Sequence, residues 1–534
     1  MTTFNRGLGL LLCACVVAGA AAPAAAQFDL SVERALLLKL LRDGRYKQAL
    51  AESRRIEESL VGRQAGGKPG RKVKDQATPA SVPLVELLIY RGTVERRMGN
   101  LDAAEKTLTE AFSRVTNPDF RRMAMAWAPA DGDARQQYVA TLQLAYLQLL
   151  DNGTEVLIDR LRTFNYQRQA EIASGTAADV ADERKIEIEE LFRRIDFLVR
   201  LSIIERQTTA AVEGAGGDSP HARMMFTMAR PYRLIGMRYL EASRLPWTIP
   251  FDADPATMAL DNAASPPAEV AAGGGKTPAP ARRPETAVER ETQSVSQRLR
   301  AVGYLEKSRA LGAKAIGAGA QESEAAAPPE PQATGEAADE LSEADKGRIV
   351  RQEKNRVRGE TSVPLAVLAM LDGDLERART LINATLEGLR QAESPTHPEL
   401  ARPLILSAEI GLREGDALAE KKAFAAAEKK FSASADQLRQ AKSMLESDDS
   451  EFDPASPLHR VLANLIAHAD DYRAKSSRVA SSASAADAAA RRALAALARG
   501  EAAQKKPPKD AARPQPGTAV PPDARPAPPA RVQP

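Results

Sequence analysis

The chain has 534 residues, of which 43% are hydrophobic but only 4% aromatic, with much of the apolar share supplied by alanine. Its 74 basic and 71 acidic residues leave a net charge of +3. That balance argues against a dedicated nucleic-acid binder, which carries a basic excess on one face, and equally against an acidic buffering chain. The two cysteines, Cys13 and Cys15, both lie near the N-terminus. The rest of the chain therefore has no disulfide, thiolate-zinc site or cysteine nucleophile.

The N-terminus reads as a secretory signal over residues 1–26. Arg6 supplies the positive region, Gly7 to Ala22 the apolar stretch, and Ala24-Ala25-Ala26 before Gln27 the cleavage site. Two alternatives stay open: an uncut membrane anchor, and lipoprotein processing at Leu12-Cys13-Ala14-Cys15 with the lipid on Cys15. Each places the protein in the periplasm or cell envelope of a bacterium, the source class that the alanine- and arginine-rich usage suggests. After residue 26 no run approaches the ~20 apolar residues that cross a bilayer, so no later membrane span is expected.

Residues 27–250 read as an N-terminal helical domain. Leu36, Leu37, Leu40 and Leu41 recur at helical spacing before a break at Asp43-Gly44, and a second helix carries Tyr46, Ala49, Ile56 and Leu60. Gly62 to Pro79 reads as a basic, glycine-rich loop. Pro83 sits in the first turn of a further helix, which breaks at Gly99-Asn100 and is followed by a partner helix ending at Asn117-Pro118. Residues 133–150 and 154–171 suggest a helix pair around Asn152-Gly153. A long charged helix is expected over 179–206, with Ile186, Leu191, Ile195, Leu198 and Ile203 as its apolar side, and another over 221–243, interrupted at Pro231.

Residues 251–345, rich in alanine, glycine, glutamate and proline, read as a flexible linker, with a helix at 286–312 marked by Val295, Leu299, Val302 and Leu305. A C-terminal helical domain is expected over 346–475, with breaks at Gly373-Asp374 and Gly415-Asp416. Residues 476–534 form an alanine- and proline-rich tail. Its last 34 residues hold 10 prolines and cannot bury enough apolar surface to offset their ordering entropy. No segment alternates with period two, so the fold class is all-α.

A phrase recurs at the breaks. Gly44-Arg45-Tyr46 with Ala49, Gly99-Asn100-Leu101 with Ala104, and Gly373-Asp374-Leu375 with Ala378 each place a glycine at a helix end, a large apolar residue two positions on, and an alanine five positions on. The glycine permits the left-handed turn between antiparallel helices, and the alanine is small where they cross. The pattern resembles the tetratricopeptide repeat. The second copy matches best, with Gly92, Ala104 and Ala111 at the small positions. The first departs at Leu37. The third keeps Ala366 and Ala378 but has Thr385 at the last small position. A weaker fourth copy opens at His397-Pro398-Glu399-Leu400-Ala401, as in the longer kinesin-light-chain-like repeats. It places its turn at Gly415-Asp416, which leaves Glu420 where alanine is expected.

The resemblance implies a helical-hairpin solenoid in two blocks, separated and followed by disordered Ala/Pro-rich segments, with stacked repeats burying a continuous core. It implies protein or peptide binding in a concave groove and no catalysis. The residues it turns toward the groove are Glu86, Ile89, Thr93, Arg96 and Arg97 in the second copy, and Arg402, Ile405, Glu409 and Arg413 in the fourth. A solvated charged surface is the plain alternative for them.

No cofactor, nucleotide or metal site is expected. Gly62 to Lys68 has Walker-A spacing, but Pro69 occupies the magnesium-binding hydroxyl position and no strand precedes it. His397 reads as a turn residue before Pro398, and His459 and His468 are nine apart, too far around a helix to form a metal pair. The main functional expectation is an exported, non-enzymatic scaffold of the cell envelope. The alternatives are a structural wall-associated protein and an exported enzyme with its site in residues 120–250. A polar cluster of that region converging in a deep pocket would favour the enzyme, and a shallow charged groove the scaffold.

Overall fold

The computed structural model describes residues 31–64, 81–126, 132–173, 182–210, 224–245, 287–325, 343–392, 396–447 and 457–504, with isolated positions between them. The export segment, most of the basic loop, residues 251–286 and 326–342 of the expected linker, and the proline-rich end after Gln504 lie outside these residues. The described residues form an all-α helical-hairpin solenoid, and no strand occurs among them.

Two helices, α1 (Ser31–Arg42) and α2 (Tyr46–Gln64), make the first hairpin, and α3 (Ser81–Arg97) and α4 (Leu101–Thr116) the second. After α5 (Pro118–Ala126) come α6 (Gly132–Ala173), α7 (Asp182–Ala210) and α8 (Ala229–Ser243). The chain resumes as α9 (Ala287–Ala325), α10 (Glu343–Leu371) and α11 (Leu375–Ala392). A 3-10 turn, Pro398–Leu400, leads into α12 (Ala401–Glu420), α13 (Phe424–Leu445) and α14 (Pro457–Gln504). Consecutive helices pack on one another from α1 to α4 and from α8 to α13.

The three glycines expected to turn the hairpins do so. Gly44, Gly99 and Gly373 have φ of 71°, 80° and 82°, a region that a Cβ disfavours. Ala49, Ala104 and Ala378 are completely buried where the helices cross.

The fourth turn is not at Gly415. Glycine 415 lies inside α12, and the left-handed residue is Lys422, with φ of 60°. Counted from Lys422, the copy is regular: Ala427, five residues on, is fully buried. Gly415 itself is the small position of the first helix, equivalent to Gly92. A Cβ at Gly92 would sit 2.6 Å from Leu108 Cγ, and one at Gly415 would sit 2.7 Å from Phe431 Cε1. Leu108 and Phe431 each lie nine residues after their turn, so each glycine receives a large side chain from the second helix. In the first copy the sizes are exchanged. Leu37 takes the glycine's position, and the buried residue nine after the turn is Ser53. The departure at Leu37 is thus matched by a small residue on the opposite helix, which conserves volume in a close-packed interior.

Asn152-Gly153 does not break a helix, because α6 runs unbroken for 42 residues. Glycine in a helix interior costs only about 1 kcal/mol relative to alanine, and packing outweighs it here. Asn152 Nδ2 donates to Thr93 Oγ1 at 3.1 Å. Asp151 accepts from Arg206 Nη2 at 2.6 Å and from Ser202 Oγ at 2.8 Å, in a site where both charged groups are fully buried. Pro231 does not interrupt α8 but sits in its first turn, where its missing N–H removes no helix bond.

The helix expected within the linker is present and longer than expected, as α9. Its buried face is not the Val295-Leu299 stripe, whose members are 40% and 66% exposed, but a seam of Ala301, Leu305, Ser308 and Ile316. Small residues permit close approach on both sides. A Cβ on Gly236 of α8 would meet Leu305 at 2.7 Å, and one on Gly312 would meet Val357 of α10 at 2.8 Å. Ser308 and Ser294 donate to the Ala229 and Ser243 carbonyls, each at 2.7 Å. A continuous core therefore joins Leu157, Phe192, Leu234 and Leu305 to Leu365 and Leu368. On α7 the expected Ile195 and Ile203 are buried, beside Ile188, Phe192 and Val199, whereas Ile186 is 63% exposed.

Residues up to Ser476 form one compact unit, and Ser477–Pro534 a second. Within the second unit, the described part of α14 is an alanine-rich helix with mostly exposed side chains.

Candidate functional site

The compact unit contains a partly open cavity of about 1120 Å³. Arg96 and Arg97 reach it from the last turn of α3, Arg356 and Glu360 from α10, and Arg402, Glu409 and Arg413 from α12. Five of the six charged groove residues expected from the repeat pattern, together with Ile405, thus line one cavity. Those on α12 do so although the turn lies at Lys422, seven residues beyond the expected Gly415. Seven residues are nearly two whole helical turns, so the offset rotates the helix face by only about 20°.

Glu86 is the exception. It is half-buried on α3, receives a hydrogen bond from Tyr90 Oη at 3.4 Å, and does not line the cavity. Ile89 is buried, and Thr93 is engaged by Asn152. The long helix α6 packs over this part of the α3 face, so only its last turn opens inward.

The rest of the polar wall comes from residues not singled out by the repeat pattern. Glu155, Asp159, Arg162 and Tyr166 follow one another along α6 at helical spacing, and Arg233, Glu241 and Arg244 do so on α8 and just beyond it. Their signal was present as charged residues recurring on one face of an otherwise apolar stretch. The break read at Asn152-Gly153 hid it.

These groups form one ion-pair network. Arg96 pairs with Glu155 at 2.5 Å and Asp159 at 3.3 Å. Arg233 also pairs with Glu155 and lies 3.5 Å from Glu360. Arg162 joins Asp159 at 2.6 Å to Glu241 at 3.2 Å, and Arg244 lies 3.5 Å from Glu241. Two pairs cross between distant parts of the chain: Arg402 with Asp159 at 3.5 Å, and Arg97 with Glu399 at 2.7 Å.

Burial opposes ionisation of Glu155, but the guanidiniums of Arg96, Arg233 and Arg230 outweigh it and hold the carboxyl well below the usual carboxylate range. Asp159 is lowered in the same way: Arg402, Arg162 and Arg96 overcome its burial. Glu409 behaves oppositely. Burial raises its carboxyl, and Arg244 and Arg413 offset this only in part. Tyr46, at the cavity edge, is pushed up to about 12 by burial.

The cavity is closed by contacts between turns. A Cβ on Gly44 would lie 2.7 Å from Pro398 Cδ, and one on Gly99 would lie 2.6 Å from Phe452 Cζ. His397 is the turn residue expected, and more: it caps the 3-10 turn and joins two repeats. Its Nδ1 accepts from the Glu399 N–H at 3.2 Å, and its Nε2 donates to the Arg42 carbonyl at 2.8 Å.

Among the described residues, no group of three or more histidine, cysteine, aspartate or glutamate side chains is placed to hold a metal ion, and no helix is long and apolar enough to cross a membrane. His459 lies 3.5 Å from Glu446, and His468 packs on Tyr472. Gly62 of the Walker-like spacing lies within α2. No protein-family model matches this chain, and no curated protein does.

Proposed function

We propose that the protein is an exported, non-catalytic scaffold of the bacterial cell envelope, built from tetratricopeptide-like hairpins, which receives a segment of a partner protein in the central cavity. The observation that carries this reading is the convergence of Arg96, Arg97, Arg402, Glu409 and Arg413 on one cavity. Repeat geometry alone turned these residues toward a groove.

Site-specific photocrosslinking tests this reading, with the crosslinker in place of the exposed Arg413 and, as control, of Arg122 on α5. One partner captured at position 413 and not at 122, in envelope preparations of the source cells, is the expected result. Equal capture at both positions, or none, contradicts it.

A second reading, an exported enzyme, draws on a specific observation: polar residues of the 120–250 region do converge on this cavity, alongside the raised Glu409 carboxyl. Against it, Glu155 and Asp159 are locked by several arginines and hold no proton near neutral pH, so neither serves as a general acid. Any hydrolytic activity found in the purified chain and abolished by Glu409→Gln would favour the enzyme.

A further inference from the structure

Helix α7 carries two apolar stripes, and only one of them faces the core. Ile188, Phe192, Ile195, Val199 and Ile203 pack inward. On the opposite side, Ile186, Phe197 and Ile204 are 63%, 54% and 40% exposed. Their spacings of eleven and seven residues place them within about 20° of one another around the helix axis. A single exposed apolar side chain is ordinary, but an aligned row of large ones marks an interaction surface.

Between these three lie Glu190, Arg193 and Arg200. Glu190 and Arg193 are exposed and pair with each other at 3.1 Å, and Arg200 is half-buried. The six residues follow at alternating steps of four and three, at positions 186, 190, 193, 197, 200 and 204. That is the 3.5-residue seam of a two-helix coiled coil. The order of side chains along the seam selects the occupant and its direction. Two copies of the helix laid parallel would set Glu190 against Glu190 and each arginine against itself. Two antiparallel copies, related by a two-fold axis level with residue 195, set Ile186 against Ile204, Glu190 against Arg200 and Arg193 against Phe197, each pair occurring twice. The first pair is apolar, the second is of opposite charge, and the third places a guanidinium on an aromatic ring. Shifting the register to bring the two Phe197 rings together sets Glu190 against Ile204 and breaks all three pairs.

We infer that α7 is a self-association surface, on which a second copy of this chain docks antiparallel through Ile186, Glu190, Arg193, Phe197, Arg200 and Ile204. None of these six lines the central cavity, to which α7 contributes Arg184, Glu187, Ile188 and Leu191. The inference therefore stands independently of the partner-binding reading.

Sedimentation velocity of the full chain over about 1–200 µM tests it. One helix from each copy makes a small interface, so a dissociation constant on the order of 10 µM is expected. Phe197→Ser, Glu190→Arg and Arg200→Glu should each weaken dimerisation at least about tenfold, with thermal melts establishing that each variant is folded. The decisive sample is an equimolar mixture of the Glu190→Arg and Arg200→Glu chains. Across an antiparallel seam the arginine introduced at position 190 meets the glutamate introduced at position 200, and the native Arg200 of one chain meets the native Glu190 of the other. The mixture should therefore dimerise like the native chain, although neither variant does so alone. The inference is overturned by a mixture that stays monomeric, by a dimer that folded Phe197→Ser leaves unchanged, or by a native chain that is monomeric throughout the range. The last result would leave the stripe to a different protein.

Discussion

Gly99 and Gly373 occur in the same sequence phrase and take the same backbone conformation, with φ of 80° and 82°. Their surroundings differ completely. Gly99 lies against the ring of Phe452, more than 350 residues further along, whereas nothing lies within 4 Å of a Cβ built at Gly373. Gly44 follows Gly99 by abutting His397 and Pro398, and Lys422, with its side chain exposed, follows Gly373. The local motif sets the turn in all four. Only the N-terminal turns also act as docking points that hold the repeats around the cavity.

Substitutions separate the two roles. Gly99→Ala combines left-handed strain of about 1–2 kcal/mol with overpacking of about 1–3 kcal/mol. Denaturant unfolding should show a loss of about 2–5 kcal/mol, and a loss as small as that of Gly373→Ala would break the comparison. Gly373→Ala should cost only the strain, about 1–2 kcal/mol. Lys422→Gly relieves the same strain at an exposed turn and should stabilise by up to about 1 kcal/mol.

The docking contact at Gly44 also carries a pH dependence. Burial lowers the His397 pKa from 6.5, with Arg97 acting the same way and Glu399, Asp43 and the Arg42 carbonyl opposing. The unfolded chain therefore binds this proton more readily than the folded one, and stability falls as pH drops below about 6.5. The geometry gives the reason, because protonation at Nδ1 removes the acceptor for the Glu399 N–H. Melts at pH 7.5 and 5.5 should show a smaller pH-dependent loss in His397→Gln than in the native chain, and equal losses would exclude His397 as the source.

Much of this architecture was legible because it is local. A glycine turn with an alanine five residues on reports a helix crossing within one hairpin, and three such phrases located three turns. The cavity arginines of α3 and α12 were legible because helical periodicity tolerates an error of seven residues. What escaped depends on partners far away in sequence. Gly153 stays helical because Asp151 and Asn152 are engaged by α7 and α3. Gly415 is a crossing point because Phe431 fills the space that it leaves. The buried seam of α9 mixes Ala301 and Ser308 with Leu305 and Ile316, so a search for large apolar residues found Leu305 but joined it to the exposed Val295 and Leu299. Glu155, Asp159 and Arg233 acquire meaning only once α6 and α8 meet the repeat hairpins across the cavity.

The central claim is that distant repeats close on one another around this cavity, and the Arg97–Glu399 pair, at 2.7 Å, spans that closure with both side chains largely buried. A double-mutant cycle with Arg97→Gln and Glu399→Gln, measured by denaturant unfolding of the full chain, tests it most directly. A coupling energy of about 0.5–3 kcal/mol is the predicted result. Single-variant effects that add to within about 0.3 kcal/mol would show that the two residues do not meet, and would contradict the closed arrangement.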